Sequence, residues 1–273
     1  MSGTLYVVGT PIGNLGDLSP RAAETLEAVD FIAAEDTRVT LKILNHLGIK
    51  KPMVSYYEHN RIERGEQICQ RLEAGESCAI VTDAGMPCIS DPGELLVAQC
   101  AERGITVAAV PGPSAVVTAL AISGLPTGRF TFEGFLSVNR KSRREHLESL
   151  KDERRTMIFY EAPHKLPNTL ADLYEAFGDR RVSIVRELTK LHEQVIRTTL
   201  GKAAEQYADG SLKGEIVLVL EGKPEEETEQ YTPEQAAQLA RELMESGASV
   251  SDAAKQAAKA TGLKKNEIYR LLV

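Results

Sequence analysis

Short apolar runs punctuate the first half of the chain at 4–8, 31–34, 53–57, 78–82 and 106–110, with amphipathic stretches between them. Strands covered on both faces read as continuous apolar runs, so the alternation predicts βαβ units on a parallel sheet. Helix starts are marked where a capping side chain stands beside a proline that lacks the spare N–H, at Ser19-Pro20, Asp91-Pro92 and Pro113-Ser114. Gly75 and Gly104 supply helix stops. Residues 1–120 are therefore expected to form a doubly wound α/β domain.

The pattern changes near residue 130. Runs at 130–136, 156–160, 182–186, 195–200 and 215–220 read as strands, with two early helical stretches at 141–152 and 165–176. Strands 182–186 and 193–200 look like antiparallel neighbours, so residues 121–222 are expected to form a mixed-sheet α+β domain. The stretch KPEEETEQ at 223–230 is like-charged and carries a proline, and reads as an acidic linker. Beyond it, residues 231–273 read as a small helical unit with helices at 233–245, 251–260 and 264–272. A turn at Thr261-Gly262-Leu263 makes the last pair resemble a helix-turn-helix.

Composition narrows the class. A chain of 273 residues suits two domains, and no run approaches the roughly 20 apolar residues of a membrane span. The N-terminus enters a strand without a signal-like stretch, so a soluble cytoplasmic protein without membrane partners is expected. Cys69, Cys78, Cys88 and Cys100 form no C-x-x-C pair and the histidines share no helical face, so no metal site is expected and the cysteines read as small apolar residues. The net charge of −7 argues against bulk attraction to nucleic acid, but local patches can still provide it. The segment NRKSRREHLESLKDERR at 139–155 opens with Arg140, Lys141, Arg143 and Arg144, which are candidates for phosphate contacts. Lys264 and Lys265 in the terminal helices are candidates for RNA docking, and a protein contact there is an equal alternative.

Four unusual loops follow predicted strands, at 9–16, 35–38, 83–87 and 111–114. Ligands of doubly wound sheets bind outside the carboxyl ends of the strands, where such loops converge. The first loop spaces its glycines G-x-x-x-G-x-x-G, which matches neither a dinucleotide fingerprint nor a P-loop. Asp91-Pro92 already starts the next helix, which leaves Asp83 available for a ligand. A carboxylate accepts from amino groups and ribose hydroxyls and repels phosphate, so a cationic, ribose-bearing ligand without phosphates fits.

Residues 3–15, 34–38, 83–93 and 110–114, together with Phe159-Tyr160-Glu161-Ala162-Pro163-His164 and Arg186-Glu187-Leu188-Thr189-Lys190, closely resemble the tetrapyrrole-methylase-like, S-adenosylmethionine-dependent superfamily. Within it the similarity is to the cytidine 2′-O-methyltransferases of small-subunit ribosomal RNA, over essentially the whole chain. The resemblance implies a homodimer that holds folded S-adenosylmethionine between two domains. It also implies methyl transfer to the 2′-hydroxyl of a decoding-centre cytidine in 16S RNA, with the assembled small subunit as partner. Carried over by position, the cofactor would touch Pro11, Ile12, Asp83, Met86, Ser114 and Ala115. Tyr160, Glu161, Leu188, Thr189, Glu215 and Ile216 would approach its adenine and ribose, largely through backbone groups. Met86, Cys88 and Ser137-Val138-Asn139 depart from the family pattern without removing a motif.

Methyl transfer from a sulfonium is a direct displacement that needs alignment and an outlet for the hydroxyl proton. Asp36, Arg38, Glu161, Arg186 and Lys190 are the candidates for base or orienter, with Glu35, His164, Glu187 and Glu193 also on the rim. Two plainer readings stand beside these. Residues 35–38 suit a helix N-terminus, and the charges at 186–193 suit a cross-strand ladder. Methylation of a small macrocycle, or a ligand-sensing regulator built on the terminal helices, are the alternative functions.

Overall fold

The structure, a computed structural model, describes residues 2–224 and 231–273, so most of the expected acidic linker lies outside the described residues. It has two compact units, Met1–Lys223 and Pro224–Val273.

The first unit opens with β1 (Thr4–Val8), α1 (Pro20–Ala28), β2 (Phe31–Ala34), α2 (Thr37–Leu47), β3 (Met53–Ser55), α3 (Arg61–Glu73), β4 (Cys78–Val81), α4 (Gly93–Glu102), β5 (Thr106–Val110) and α5 (Ala115–Ser123). The five strands are parallel in the order β3-β2-β4-β1-β5. Strand alternation divides the core between the two faces. Leu5, Phe31 and Ile80 pack with Ile68, Leu72 and Leu96, while Val8, Ile32 and Val81 pack with Leu26 and Leu44. Ser19 caps α1 as its sequence requires, accepting from the Ala22 N–H, with Pro20 in the first turn.

A second sheet follows, with β6 (Phe130–Phe135), α6 (Arg140–Ser149), β7 (Thr156–Glu161), α7 (Leu166–Phe177), β8 (Arg181–Arg186), β9 (Gln194–Thr199), α8 (Leu200–Gln206) and β10 (Ile216–Leu220). Its order is β6-β7-β10-β8-β9, parallel between β6 and β7 and antiparallel elsewhere. One face is covered by α6, α7 and α8. The other receives α5, whose Val116, Ala119 and Leu120 pack on Ile158, Val185, Val217 and Val219 together with Ile12. Each fully buried Val or Leu stabilises by about 1.5–3 kcal/mol. The last helix of the first half thus seals the second sheet, and the two expected domains form one compact unit.

Two element boundaries depart from expectation for local reasons. β3 stops at Ser55 because the Asn60 side chain takes the place of a neighbouring strand, donating to the Ser55 carbonyl and accepting from the Tyr57 N–H. The short α8 begins at Leu200, where a strand end was expected, because the Asp179 carboxylate bonds the Gly201 N–H at 2.7 Å and turns the chain.

The second unit holds α9 (Pro233–Glu245), α10 (Val250–Thr261) and α11 (Lys265–Arg270). Ala236, Ala240, Ala253, Ala254 and Ala257 let the helices approach closely around Ile268. Gly262 ends α10 in the left-handed region, at the turn the sequence marked.

Candidate active site

β4, β1 and β5 are neighbours, so the loops at their carboxyl ends lie side by side, and they lock together. The Thr10 N–H donates to the Gly85 carbonyl at 2.9 Å, and the Gly85 N–H donates back to the Thr10 carbonyl at 3.2 Å. The Thr10 hydroxyl donates to the Thr82 carbonyl at 3.2 Å. Gly9 and Gly112 meet backbone to backbone. A Cβ on Gly9 would stand 2.6 Å from the Gly112 Cα and 2.7 Å from the Met86 sulfur, so no larger residue fits without movement. The loops that carry Pro11, Asp83 and Ser114 therefore form one rim.

The second sheet meets this rim at the end where Glu161, Ile216 and Arg186 stand in register. Gly13 lies against 188–190, since a Cβ there would come within 2.6 Å of the Lys190 side chain and 2.8 Å of the Leu188 carbonyl. Tyr160 packs in the same cluster as Ala115 and Val116, just beyond Ser114, and burial raises its pKa. Among the described residues, positive φ at non-glycine positions is confined to Cys88 (72°), Ser90 (66°), Glu187 (52°) and Thr189 (63°). Such residues cost about 1–3 kcal/mol each and gather at functional sites. All four lie in the loops after β4 and β8, which both pack on the loop after β1.

Charge on the rim is negative near Asp83. The Asp83 carboxylate accepts from the Asp36 N–H at 3.1 Å, and Glu35 beside it accepts from the Thr82 hydroxyl at 2.6 Å. Partial loss of water and then the Glu35 carboxylate push the Asp83 carboxyl above its ordinary value of 3.8. A nearby cation would relieve both effects. Lys190 behaves oppositely. Burial would lower its pKa, but hydrogen bonds to Glu187 and Glu215, at 3.0 and 3.1 Å, outweigh that and raise it. Glu187 also accepts from the Glu215 N–H at 2.9 Å, and its carboxyl is held below the usual range by that bond and by Lys190. The Thr189 Oγ1 is buried without a partner, while its N–H donates to Glu193 at 2.7 Å.

Several expected roles are corrected by this geometry. Strand alternation puts Tyr160 on the face toward α5 and Glu161 on the face toward α6 and α7. Glu161 is 5% exposed and accepts from the Ala162 N–H at 2.8 Å and from the Thr169 hydroxyl, so its carboxylate does not reach the rim as a catalytic group. Arg143 bonds the same Thr169 hydroxyl at 2.8 Å and pairs with Asp172, which commits it to packing α6 on α7 and not to phosphate. Asp36 caps α2 through the Arg38 N–H and binds the Arg38 guanidinium at 2.6 Å. That bonding holds its carboxyl at about 2, too acidic for a base, and engages the exposed Arg38 in return. Arg186 donates to the Lys213 carbonyl and to Gln194, anchoring the sheet end in place of acting on substrate. The Ile216 side chain faces the α6–α8 core, leaving only its backbone at the sheet end.

Pro11 and Ile12 are buried in the rim, with Met86, Ser114 and Ala115 half-buried. Arg140, Lys141 and Arg144 remain exposed at the start of α6. In the second unit Lys264 and Lys265 are exposed, and Lys265 bonds Ser251 at 2.9 Å. Sequence reasoning put Glu187 on the rim as a candidate base or orienter but missed its bond to the Glu215 N–H, which joins segments 28 residues apart.

The tetrapyrrole (corrin/porphyrin) methylase model matches residues 4–204, and the model described as the RsmI C-terminal HTH domain matches residues 232–273. A ribosomal RNA small subunit methyltransferase I from Synechocystis sp. is 48% identical over 98% of this chain and 97% of its own length. Another of that name from Xylella fastidiosa is 46% identical over 98% of both chains. The chain belongs to the ribosomal RNA small subunit methyltransferase I family. Members of that family share the tetrapyrrole methylase fold with more distant proteins. The crystal structure of a uroporphyrin-III C-methyltransferase from Thermus thermophilus with S-adenosyl homocysteine matches with a TM-score of 0.55 at 18% identity, over 80% of this chain and 97% of that one. For this family member, the match over 232–273 agrees with the helix-turn-helix read from Gly262 and its flanking helices.

Proposed function

We propose that the chain transfers a methyl group from S-adenosylmethionine to the 2′-hydroxyl of a cytidine in 16S ribosomal RNA, near the decoding centre. On this reading it acts in the cytoplasm on the assembled small subunit, as a homodimer. The observation that carries the proposal is that the loops after β1, β4 and β5 lock together, with Leu188-Thr189-Lys190 packed against Gly13 of the first of them. Family membership supplies the RNA class, because relatives covering nearly the whole chain are named for it.

The residues fit a sulfonium nucleoside. Asp83 offers an anionic acceptor beside a second carboxylate. Pro11, Ile12, Met86, Ser114, Ala115, Tyr160 and Leu188 would surround the cofactor's apolar parts, with the Glu215 and Ile216 backbone beyond them. When bound, S-adenosylmethionine supplies an electrophilic methyl on sulfur. The chain's own contribution is to orient a ribose hydroxyl against it, since alignment of two reactants provides much of the rate in a displacement. Lys190 stays protonated, so it would steady the oxygen as the hydroxyl proton passes to solvent water and would not itself accept that proton. Exposed Arg140, Lys141 and Arg144 suit phosphate and support the RNA reading.

The test is incubation with methyl-labelled S-adenosylmethionine and either naked 16S RNA or intact small subunits, followed by nucleoside analysis. Label in 2′-O-methylcytidine is expected. Label on a base, or in neither RNA, overturns the assignment.

A further inference from the structure

Phe135 ends β6 and is 58% exposed, among the more exposed large apolar residues of this half of the molecule. Its position depends on a defect in the strand. Residues 132 and 135 are three apart, so a regular strand would send them to opposite faces. The register against β7 shifts between Phe132 and Gly134, with Gly134 at φ 64°, and Phe132 pairs with Ile158 while Phe135 pairs with Tyr160. Both rings consequently meet Tyr160 edge-on, at centroid distances of 4.9 Å for Phe132 and 5.5 Å for Phe135. Bulges that re-aim a side chain recur beside functional sites. Gly134 also approaches Ser90 of the loop after β4, since a Cβ on it would lie 3.7 Å from the Ser90 hydroxyl. Phe135 therefore presents an open aromatic surface beside the cofactor rim. Further along the chain, Arg140, Lys141 and Arg144 stand exposed at the start of α6.

Exposed aromatics next to cations are the means by which proteins hold unpaired bases, the ring taking the base and the cations taking the backbone. We infer that Phe135 is a stacking platform for an unpaired nucleobase of the RNA substrate, with Arg140, Lys141 and Arg144 bonding the flanking phosphates. The inference rests on the RNA reading above and assigns the residue that holds the base against the rim. The bulge is the device that brings the ring to that face.

The chain contains no tryptophan, so Phe135→Trp introduces a single indole reporter. In the full-length protein with 16S RNA, Phe135→Ala should raise KM for RNA at least about fivefold, the low end for loss of one stacked base. Cofactor affinity by calorimetry should stay unchanged, and Phe135→Trp should restore KM and show emission quenched by an unstructured oligoribonucleotide. A KM for Phe135→Ala within twofold of the parent, while the parent methylates RNA, overturns the platform alone. So does a parallel loss of cofactor affinity, which would make the ring a support for Tyr160. Indole emission that changes with protein concentration and not with RNA would assign the surface to a second copy of the chain. A parent protein that methylates no RNA removes the underlying reading as well.

Discussion

Replacing Asp83 by Asn isolates the charge at the centre of the rim. The amide keeps an oxygen that can accept from the Asp36 N–H, now at 3.1 Å, so the turn after β4 keeps its hydrogen bond. Lost is the negative charge facing the ligand. Hydrogen bonds to a charged group contribute about 1.5–3 kcal/mol net, which corresponds to a fall in S-adenosylmethionine affinity of about 10- to 150-fold. Stability should not fall with it. The Asp83 carboxyl is raised by desolvation and by Glu35, so its ionised form opposes folding, and the stability it contributes is present below its pKa and lost as pH rises. Asn removes that cost at neutral pH, and the thermal midpoint should be unchanged or higher. The sign also fixes the pH dependence of binding. A cationic cofactor favours ionised Asp83, so parental affinity should decline as pH falls through a region starting above 3.8, while the Asn variant stays flat there. Isothermal titration across that range, with unfolding curves on both proteins, makes the comparison. Equal affinities for the two proteins at neutral pH would refute the role of Asp83.

Gly9→Ala places a methyl 2.6 Å from the Gly112 Cα, and overpacking of this kind costs about 1–3 kcal/mol; a lower denaturation midpoint and weakened cofactor binding should appear together. Glu161→Ala strips the acceptor from the Ala162 N–H and the Thr169 hydroxyl, and unsatisfied buried groups cost about 1–3 kcal/mol. Turnover per folded molecule should survive in Glu161→Gln, and abolished turnover at unchanged stability would restore a catalytic role. Lys190→Met removes two ion pairs of a partly buried cation, so rates should fall while the pH–rate profile keeps the limb of any true base. Because the Lys190 pKa is raised, its stabilising contribution should persist through neutral pH and fade only above 10.5, which unfolding curves at alkaline pH will check.

Much of the fold was legible because both sheets announce themselves in apolar runs. β1, β2 and β5 have the expected bounds, and the parallel-then-mixed sequence of sheets follows from the same pattern. The convergence of the loops after β1, β4 and β5 was readable too, since punctuation at adjacent strand ends has to share one rim. Single-residue parity was not. Ending the second apolar run of the second half at Tyr160 leaves Glu161 in a loop, whereas the strand includes Glu161 and alternation sends it to the far face. The bulge near Glu133 is similarly invisible, because it depends on register against β7 and not on local preference. Asp36 shows how two sequence readings compete. The capping role of an acid before Thr37 won, and with it the carboxylate is engaged by the Arg38 N–H and guanidinium. The ion pair of Lys190 with Glu215 joins segments far apart in the chain, and nothing local encodes it.

The central claim is that separate turns jointly hold a sulfonium nucleoside, and a crystal structure of the full chain grown with S-adenosylhomocysteine tests it most directly. The nucleoside should lie against Pro11 and Ile12, with Asp83, Ser114, Ala115, Leu188 and Thr189 around it. A ligand bound away from Asp83, or crystals that exclude it at saturating concentration, would contradict the account.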